Sequence, residues 1–425
     1  MTFLSSASSA SSASSASSAS SASSASSASS ASSAMNGLPG YAGVVVNPAL
    51  SGAIESTRQA LKAYIPAQWP EAFGGDQVKE IDHADNLLLW QPDVRATVLQ
   101  FEAVAGMAFE TERASARLVV YRADPKASTS DAANPRSVLV TMSRPTSPVL
   151  VQQAQLVAEE ARNRLMLKSN DAATRDRLSE ITSQVVPPFA FWCAVLPIQP
   201  ARMPRTIELI ELTLALCSFA EQRFKHALAV PRPQYFNPAV VPAILTPGHS
   251  SLPSGHATEA FAVSSILHRL VTVHRADTAD AKTKHAEKSA EKADLQGLLL
   301  ALAARIANNR MVAGLHTPID TSAGRMLGTV LADYLVARCT GSVKLTTGEF
   351  FGADLKMVGG DLTLQRSGAI PDRPIAPNET GGELRAGRDA ACELSYPDAE
   401  VFKSDALGWL WDKAREEWGH AASRP

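Results

Sequence analysis

The second half of this chain predicts a bundle of helices, and three observations predict it. Ile207, Ile210, Leu214, Cys217 and Phe224 fall near one face at helical spacing. Phe261, Ile266, Leu267, Leu270 and Val271 do the same after Pro253. Thr317-Pro318 has the form of an N-cap and first helical residue, opening a helix that reaches about Arg338.

Taken in order, residues 5–34 are an unbroken Ser-Ser-Ala repeat with almost no apolar surface to bury, which predicts disorder. Met35 is the expected true beginning. Residues 54–64 read as a short amphipathic helix, and 94–109 lack alternation and read as helix. Residues 115–121 and 137–142 carry strand-like composition on either side of a polar Pro-containing loop. Residues 152–167, rich in Ala, Glu, Arg and Leu, read as helix. No motif in 36–200 points to chemistry. His83 stands near Asp82 and Asp85, but such polar loop residues are usually solvated.

From Pro204 the first helix is expected to end at Pro231 and Pro233. The charged, Ala-rich stretch 277–294 reads as a solvated helix extension or a connector, and a further helix is expected over 295–312. The Gly- and Pro-bearing tail from 341 reads as irregular, with a final amphipathic piece over 407–418 able to dock on the body.

Composition narrows the function. A charge of −2 over 425 residues argues against a nucleic-acid binder with a broad basic surface. The four cysteines have no paired spacing, so a reducing compartment fits. The longest apolar stretch, 295–304, is shorter than the roughly 18 residues of a spanning helix, and the start lacks a secretory signal pattern. A cytoplasmic protein with no membrane or nucleic-acid partner is expected, and a homodimer surface in 36–200 is left open.

Three short stretches carry the chemistry. Lys225 stands near a helix end, and Arg232 follows between two prolines; together they offer a point charge and a bidentate fork to an oxyanion. Pro253-Ser254-Gly255-His256 precedes a helix, whose unpaired N–H groups favour anions. Gly255 permits close approach there, and His256 is placed to move a proton. Arg310 and His316 lie upstream of Asp320, whose spacing lets it reach a ring nitrogen of His316 and raise the basicity of the other. Alone, each stretch admits a plainer reading: surface cations, a serine cap, an acidic residue complementing a helix dipole.

Together the three resemble the signature of the type 2 phosphatidic acid phosphatase and vanadium haloperoxidase superfamily: Lys-x6-Arg-Pro, Pro-Ser-Gly-His, and Ser-Arg-x5-His-x3-Asp. The first two match fully, and the third has Asn309 where the pattern has Ser. The resemblance covers about 204–340. It implies an all-α fold: a helical bundle of this type over 201–340, with an irregular portion at 35–200, the tract 1–34, and an extension at 341–425. It also implies that Lys225, Arg232 and Arg310 hold oxyanion oxygens while Ser254 and Gly255 add hydrogen bonds. His316 is then the axial group, with His256, Asp320 and Lys225 sharing the catalysis.

The soluble, haloperoxidase-like branch is the first expectation. There His316 would bind vanadate as cofactor, with halide and hydrogen peroxide as substrates. His249, seven residues before His256, is similar to an extra histidine of bromoperoxidases. Gln222 matches neither the Trp nor the Arg of those peroxidases. The alternatives are a soluble acid phosphatase acting on a phosphoester through a phosphohistidine with no cofactor, and a non-catalytic oxyanion-binding protein. His249 and Asn309 are expected to stand behind the residues that touch the anion.

Overall fold

The computed structural model describes residues 48–64, 83–84, 87–121, 136–165, 172–277, 285–341, 345–352, 392–395 and 401–422. The Ser-Ala tract, Asp82, Asp85 and 278–284 lie outside these. The chain divides into two compact units, Met1–Thr97 and Val98–Pro425. In the first, α1 (Pro48–Ala60) is followed by a 3-10 turn at Lys62–Tyr64, and α2 (Pro92–Val104) straddles the division in sequence.

The stretch expected to be helix through 109 stops short. Gly106 adopts a φ of 101°, open to glycine, and the chain turns into β1 (Met107–Glu112). β2 (Ser115–Tyr121) pairs antiparallel with β1, and β3 (Arg136–Ser143) pairs antiparallel with β2. Their β-branched and aliphatic side chains, among them Leu118, Val119, Leu139 and Val140, are buried.

After α3 (Ser147–Leu165), α4 (Ala172–Ser183) and α5 (Phe189–Val195) comes α6 (Pro204–Leu228), which carries Lys225 in its last turn. Its cap residue Met203 offers no side-chain acceptor. Instead the carboxylate of Glu417 accepts from Arg205 N, Thr206 N and Thr206 Oγ1 at 2.7–2.8 Å, satisfying donors that a helix start leaves unpaired. α6 ends at Ala229, whose φ is 47° and whose N–H bonds Lys225 O. The helix thus stops before Pro231 rather than at it.

α7 (Gly255–Asp277) and α8 (His285–Val312) pack through Ala257, Ala260 and Phe261 against Ala303, Ala304, Ile306 and Ala307. α8 begins ten residues earlier than its apolar stretch implied, because the charged Ala-rich segment has high helix propensity of its own. α9 (Pro318–Thr340) starts as read: Thr317 Oγ1 accepts from Asp320 N, and Asp320 Oδ2 accepts from Thr317 N.

Gly324 and Gly328 let α9 touch α7. A Cβ at Gly324 would stand 2.5 Å from Ser254 O, and one at Gly328 would stand 2.2 Å from Thr258 O. Only hydrogen fits there, so the backbones meet and Ser254 N donates to Asp320 O at 2.9 Å.

The tail is not wholly irregular. β4 (Thr347–Phe350) joins β3 in parallel, β5 (Cys392–Ser395) pairs antiparallel with β4, and α10 (Asp405–Ala422) buries Leu407, Leu410, Trp411 and Ala414. The all-α expectation is therefore corrected: the chain is mostly helical and also holds a five-stranded sheet of order β1-β2-β3-β4-β5. Among the described residues no helix is long and apolar enough to cross a membrane.

Candidate active site

The loop after α6 and the starts of α7 and α9 bring Lys225, Arg232, Ser254, His316 and Asp320 together, all buried. Lys225 Nζ donates to Pro253 O at 2.5 Å and lies 3.6 Å from Glu221 Oε1. Arg232 Nη1 donates to Leu315 O at 2.9 Å and lies 3.1 Å from His316 Nε2. Since a guanidinium can only donate, His316 Nε2 is the acceptor and the ring proton sits on Nδ1. Burial, then the Arg232 charge, pushes the His316 pKa down to about 3. The ring is neutral at pH 7, with its Nε2 lone pair facing the cations.

The expected direct pairing of His316 with Asp320 is looser than the spacing suggested. Nδ1 lies 3.6 Å from Asp320 Oδ2, too far for a hydrogen bond. Oδ2 is already committed to Thr317 N at 2.7 Å and to Ser251 Oγ at 2.6 Å, and Ser251 Oγ stands 3.4 Å from His316 Nδ1. Ser251, absent from the motif reading, links the two. Burial opposes the Asp320 charge, but the His316 ring, Ser251 and Thr317 together hold the carboxyl below its ordinary value.

A second group forms on the α4 side. His256 Nε2 lies 2.6 Å from Gln184 O, so that nitrogen carries a proton. Burial first, then the Arg310 charge, lowers the His256 pKa to about 4, with Lys225 and Arg232 pushing the same way. Arg310 Nη2 donates to Ile181 O at 2.9 Å and to Gln184 Oε1 at 3.1 Å. Burial brings the Arg310 pKa to about 10, so it remains a cation at pH 7. Asn309 turns to α4: its Nδ2 donates to Glu180 Oε2 and Gln184 Oε1, and its Oδ1 accepts from Arg177 Nε. The motifs alone assign 36–200 no chemical role. Gln184, within that stretch, nevertheless meets motif residues with both its side chain and its carbonyl.

Glu221 and Glu259 were also missed. A Cβ on Gly255 would lie 2.6 Å from Glu221 Oε1, so that glycine makes room for a carboxyl as well as for an anion. Burial raises the Glu221 pKa against the pull of Lys225, and burial with the Glu221 charge raises Glu259 to about 8. The four-residue step from Glu221 to Lys225 on one helix face was the available signal. His249 sits on the rim: its carbonyl accepts from Arg232 Nε, and its Nδ1 lies 3.2 Å from Arg232 Nη2. Gln222 is exposed, and its amide turns to Glu221 at 3.5 Å.

Ser254 Oγ, Arg310 Nε and Arg310 Nη1 are buried and find no hydrogen-bond partner among the described residues. Buried donors without a partner suit an acceptor-rich ligand such as a tetrahedral oxyanion, phosphate or vanadate alike. No group of three His, Cys, Asp or Glu among the described residues is arranged to hold a metal cation.

Fold and site thus define a mostly helical domain in which the three motifs meet in one buried polar cluster. Residues 209–341, which hold all three motifs, match the family described as the PAP2 superfamily. No curated protein matches the chain. Among solved structures it is similar to a crystal structure described as the first transmembrane PAP2 type phosphatidylglycerolphosphate phosphatase from Bacillus subtilis. The identity is 17%, over 44% of this chain and 84% of that one, with a TM-score of 0.33. So slight a likeness says nothing about activity.

Proposed function

We propose that the protein is a phosphatase that hydrolyses phosphomonoesters through a phosphohistidine on His316. The observation that carries this reading is the set of His316: neutral, protonated on Nδ1, with Nε2 toward Arg232. Lys225, Arg232 and Arg310 would hold the nonbridging oxygens, with Ser254 Oγ as a neutral donor. Arg232 turns its Nη1–H from His316 Nε2 to a phosphoryl oxygen, which frees the lone pair. His316 Nε2 attacks phosphorus, the bond to the ester oxygen breaks, and His256 gives that oxygen a proton. Water then attacks phosphorus, His256 takes a proton from it, and the P–N bond breaks to release phosphate and neutral His316. Because Nε2 of His256 donates to Gln184 O, Nδ1 is the nitrogen that gains and gives up the proton. Burial first, and the Arg310, Lys225 and Arg232 charges after it, hold His256 near 4; the charge of a bound phosphoester offsets those cations and so raises its pKa.

The haloperoxidase reading has one observation of its own, the contact between His249 and Arg232. Vanadate would be held by the same donors and by His316, and would supply halide oxidation by peroxide. Gln222, exposed and turned to Glu221, adds nothing to the cage in support of that chemistry. The test is hydrolysis of p-nitrophenyl phosphate by purified protein, inhibition by vanadate, and capture of an alkali-stable, acid-labile phosphoenzyme. Dye bromination by vanadate-loaded protein without any hydrolysis would transfer the assignment to the peroxidase. Phosphate binding with neither activity would leave an oxyanion-binding protein.

A further inference from the structure

Gln184 belongs to none of the three motifs and lies outside the PAP2-superfamily stretch, yet it is fully buried and touches three residues of the site. Its carbonyl meets His256 Nε2 at 2.6 Å, and its Oε1 accepts from Asn309 Nδ2 at 2.9 Å and from Arg310 Nη2 at 3.1 Å. These contacts fix which way the side-chain amide points. Arg177 Nε donates to Asn309 Oδ1 at 2.8 Å, which turns Asn309 Nδ2 toward Gln184, and Arg310 has only donors to offer. Oxygen must therefore face Asn309 and Arg310, and nitrogen must point away from them. That nitrogen finds no hydrogen-bond partner among the described residues, like Arg310 Nε, Arg310 Nη1 and Ser254 Oγ. An unpaired buried donor is costly, and Gln184 stands within hydrogen-bond distance of both Arg310 and His256, where an acceptor-rich ligand would relieve its Nε2.

We propose that Gln184 is a substrate-contacting residue: its Nε2 donates to a nonbridging oxygen of the bound oxyanion beside Arg310. A neutral donor would thus be supplied to the cage from outside the family's own domain. The nature of the ligand rests on the phosphatase reading, but the contact requires only that the cage bind phosphate.

The test is calorimetric titration of the full chain with inorganic phosphate, using wild type, Gln184→Leu and Gln184→Glu. The Leu variant removes both amide groups. The Glu variant keeps an acceptor for Asn309 and Arg310, which preserves the fold, and replaces only the N–H donor. Both are expected to bind phosphate about tenfold more weakly or worse, with the loss in catalysis falling mainly on KM. In protein labelled with 15N-glutamine, the side-chain NH2 signal missing from Gln184→Leu should move on phosphate addition, which a charge effect in the Glu variant cannot mimic. The proposal is overturned if that signal stays still at saturating phosphate, or if Gln184→Glu binds as wild type does. Wild type that binds and hydrolyses alongside unaffected variants sinks the Gln184 assignment alone; wild type that binds no phosphate sinks the phosphatase reading with it.

Discussion

Along the α7–α9 seam two backbones touch, whereas along the α4–α8 seam long polar side chains bridge the gap. Gly324 and Gly328 set the first seam, and Ser254 N to Asp320 O closes it. Arg305–Glu180, Asn309–Gln184 and Arg310–Ile181 O make the second. Each seam orients one histidine: His316 beside Asp320, His256 against a carbonyl. Close-packed backbone leaves no room to adjust, while a polar seam can exchange its partners for those of a ligand. The proposed nucleophile is thus built on the rigid side and the proposed proton carrier against the adaptable one.

The largest effect expected is on the rigid side. His316→Ala should lower hydrolysis by about a thousandfold or more with the melting temperature kept, as measured by steady-state kinetics; a loss of only about tenfold would move the nucleophile elsewhere.

Acid should next unsettle both seams. The two imidazoles drop from an ordinary 6.5 to about 3 and about 4 in the folded chain. Below 6.5 the unfolded chain binds more protons than the folded one, so stability is complete above that pH and is lost as pH falls toward 3 to 4. Each histidine should cost on the order of 2 kcal/mol at about pH 5. Urea midpoints at the two pH values measure this, and phosphate should offset part of it.

A Gly328→Val variant should cost about 3 kcal/mol or more, since its first side-chain carbon meets Thr258 O. Gly248→Ala, with nothing within 4 Å, is the control and should stay within about 0.5 kcal/mol. Equal urea midpoints for the two would mean that the helices do not touch. Smallest of all, Glu180→Gln should cost about 1 kcal/mol, because its bridge to Arg305 is partly solvated. A few-fold rise in KM should accompany it as Gln184 loosens.

The rigid seam was also the legible one. Thr317-Pro318 and Asp320 announce a helix start by local chemistry, and the three motifs sit within about a hundred residues of each other. The adaptable seam was not legible, because Glu180 and Gln184 look like any polar face of an amphipathic helix until Asn309 and Arg310, over a hundred residues on, stand opposite. Part of the sheet was legible, since 115–121 and 137–142 carry strand-like composition and form β2 and β3, while β1, β4 and β5 hid for a similar reason. β4 is four residues long, and its partner β3 lies some two hundred residues upstream. Gly106 was the only local sign that a helix would yield to a strand.

Glu417 has a consequence for the order in which the molecule is completed. It closes the start of the helix bearing Lys225, yet it is synthesised more than two hundred residues after that start. A nascent chain that has already made every residue of the three motifs still lacks the carboxylate that anchors this helix, and gains it only when position 417 has cleared the ribosome.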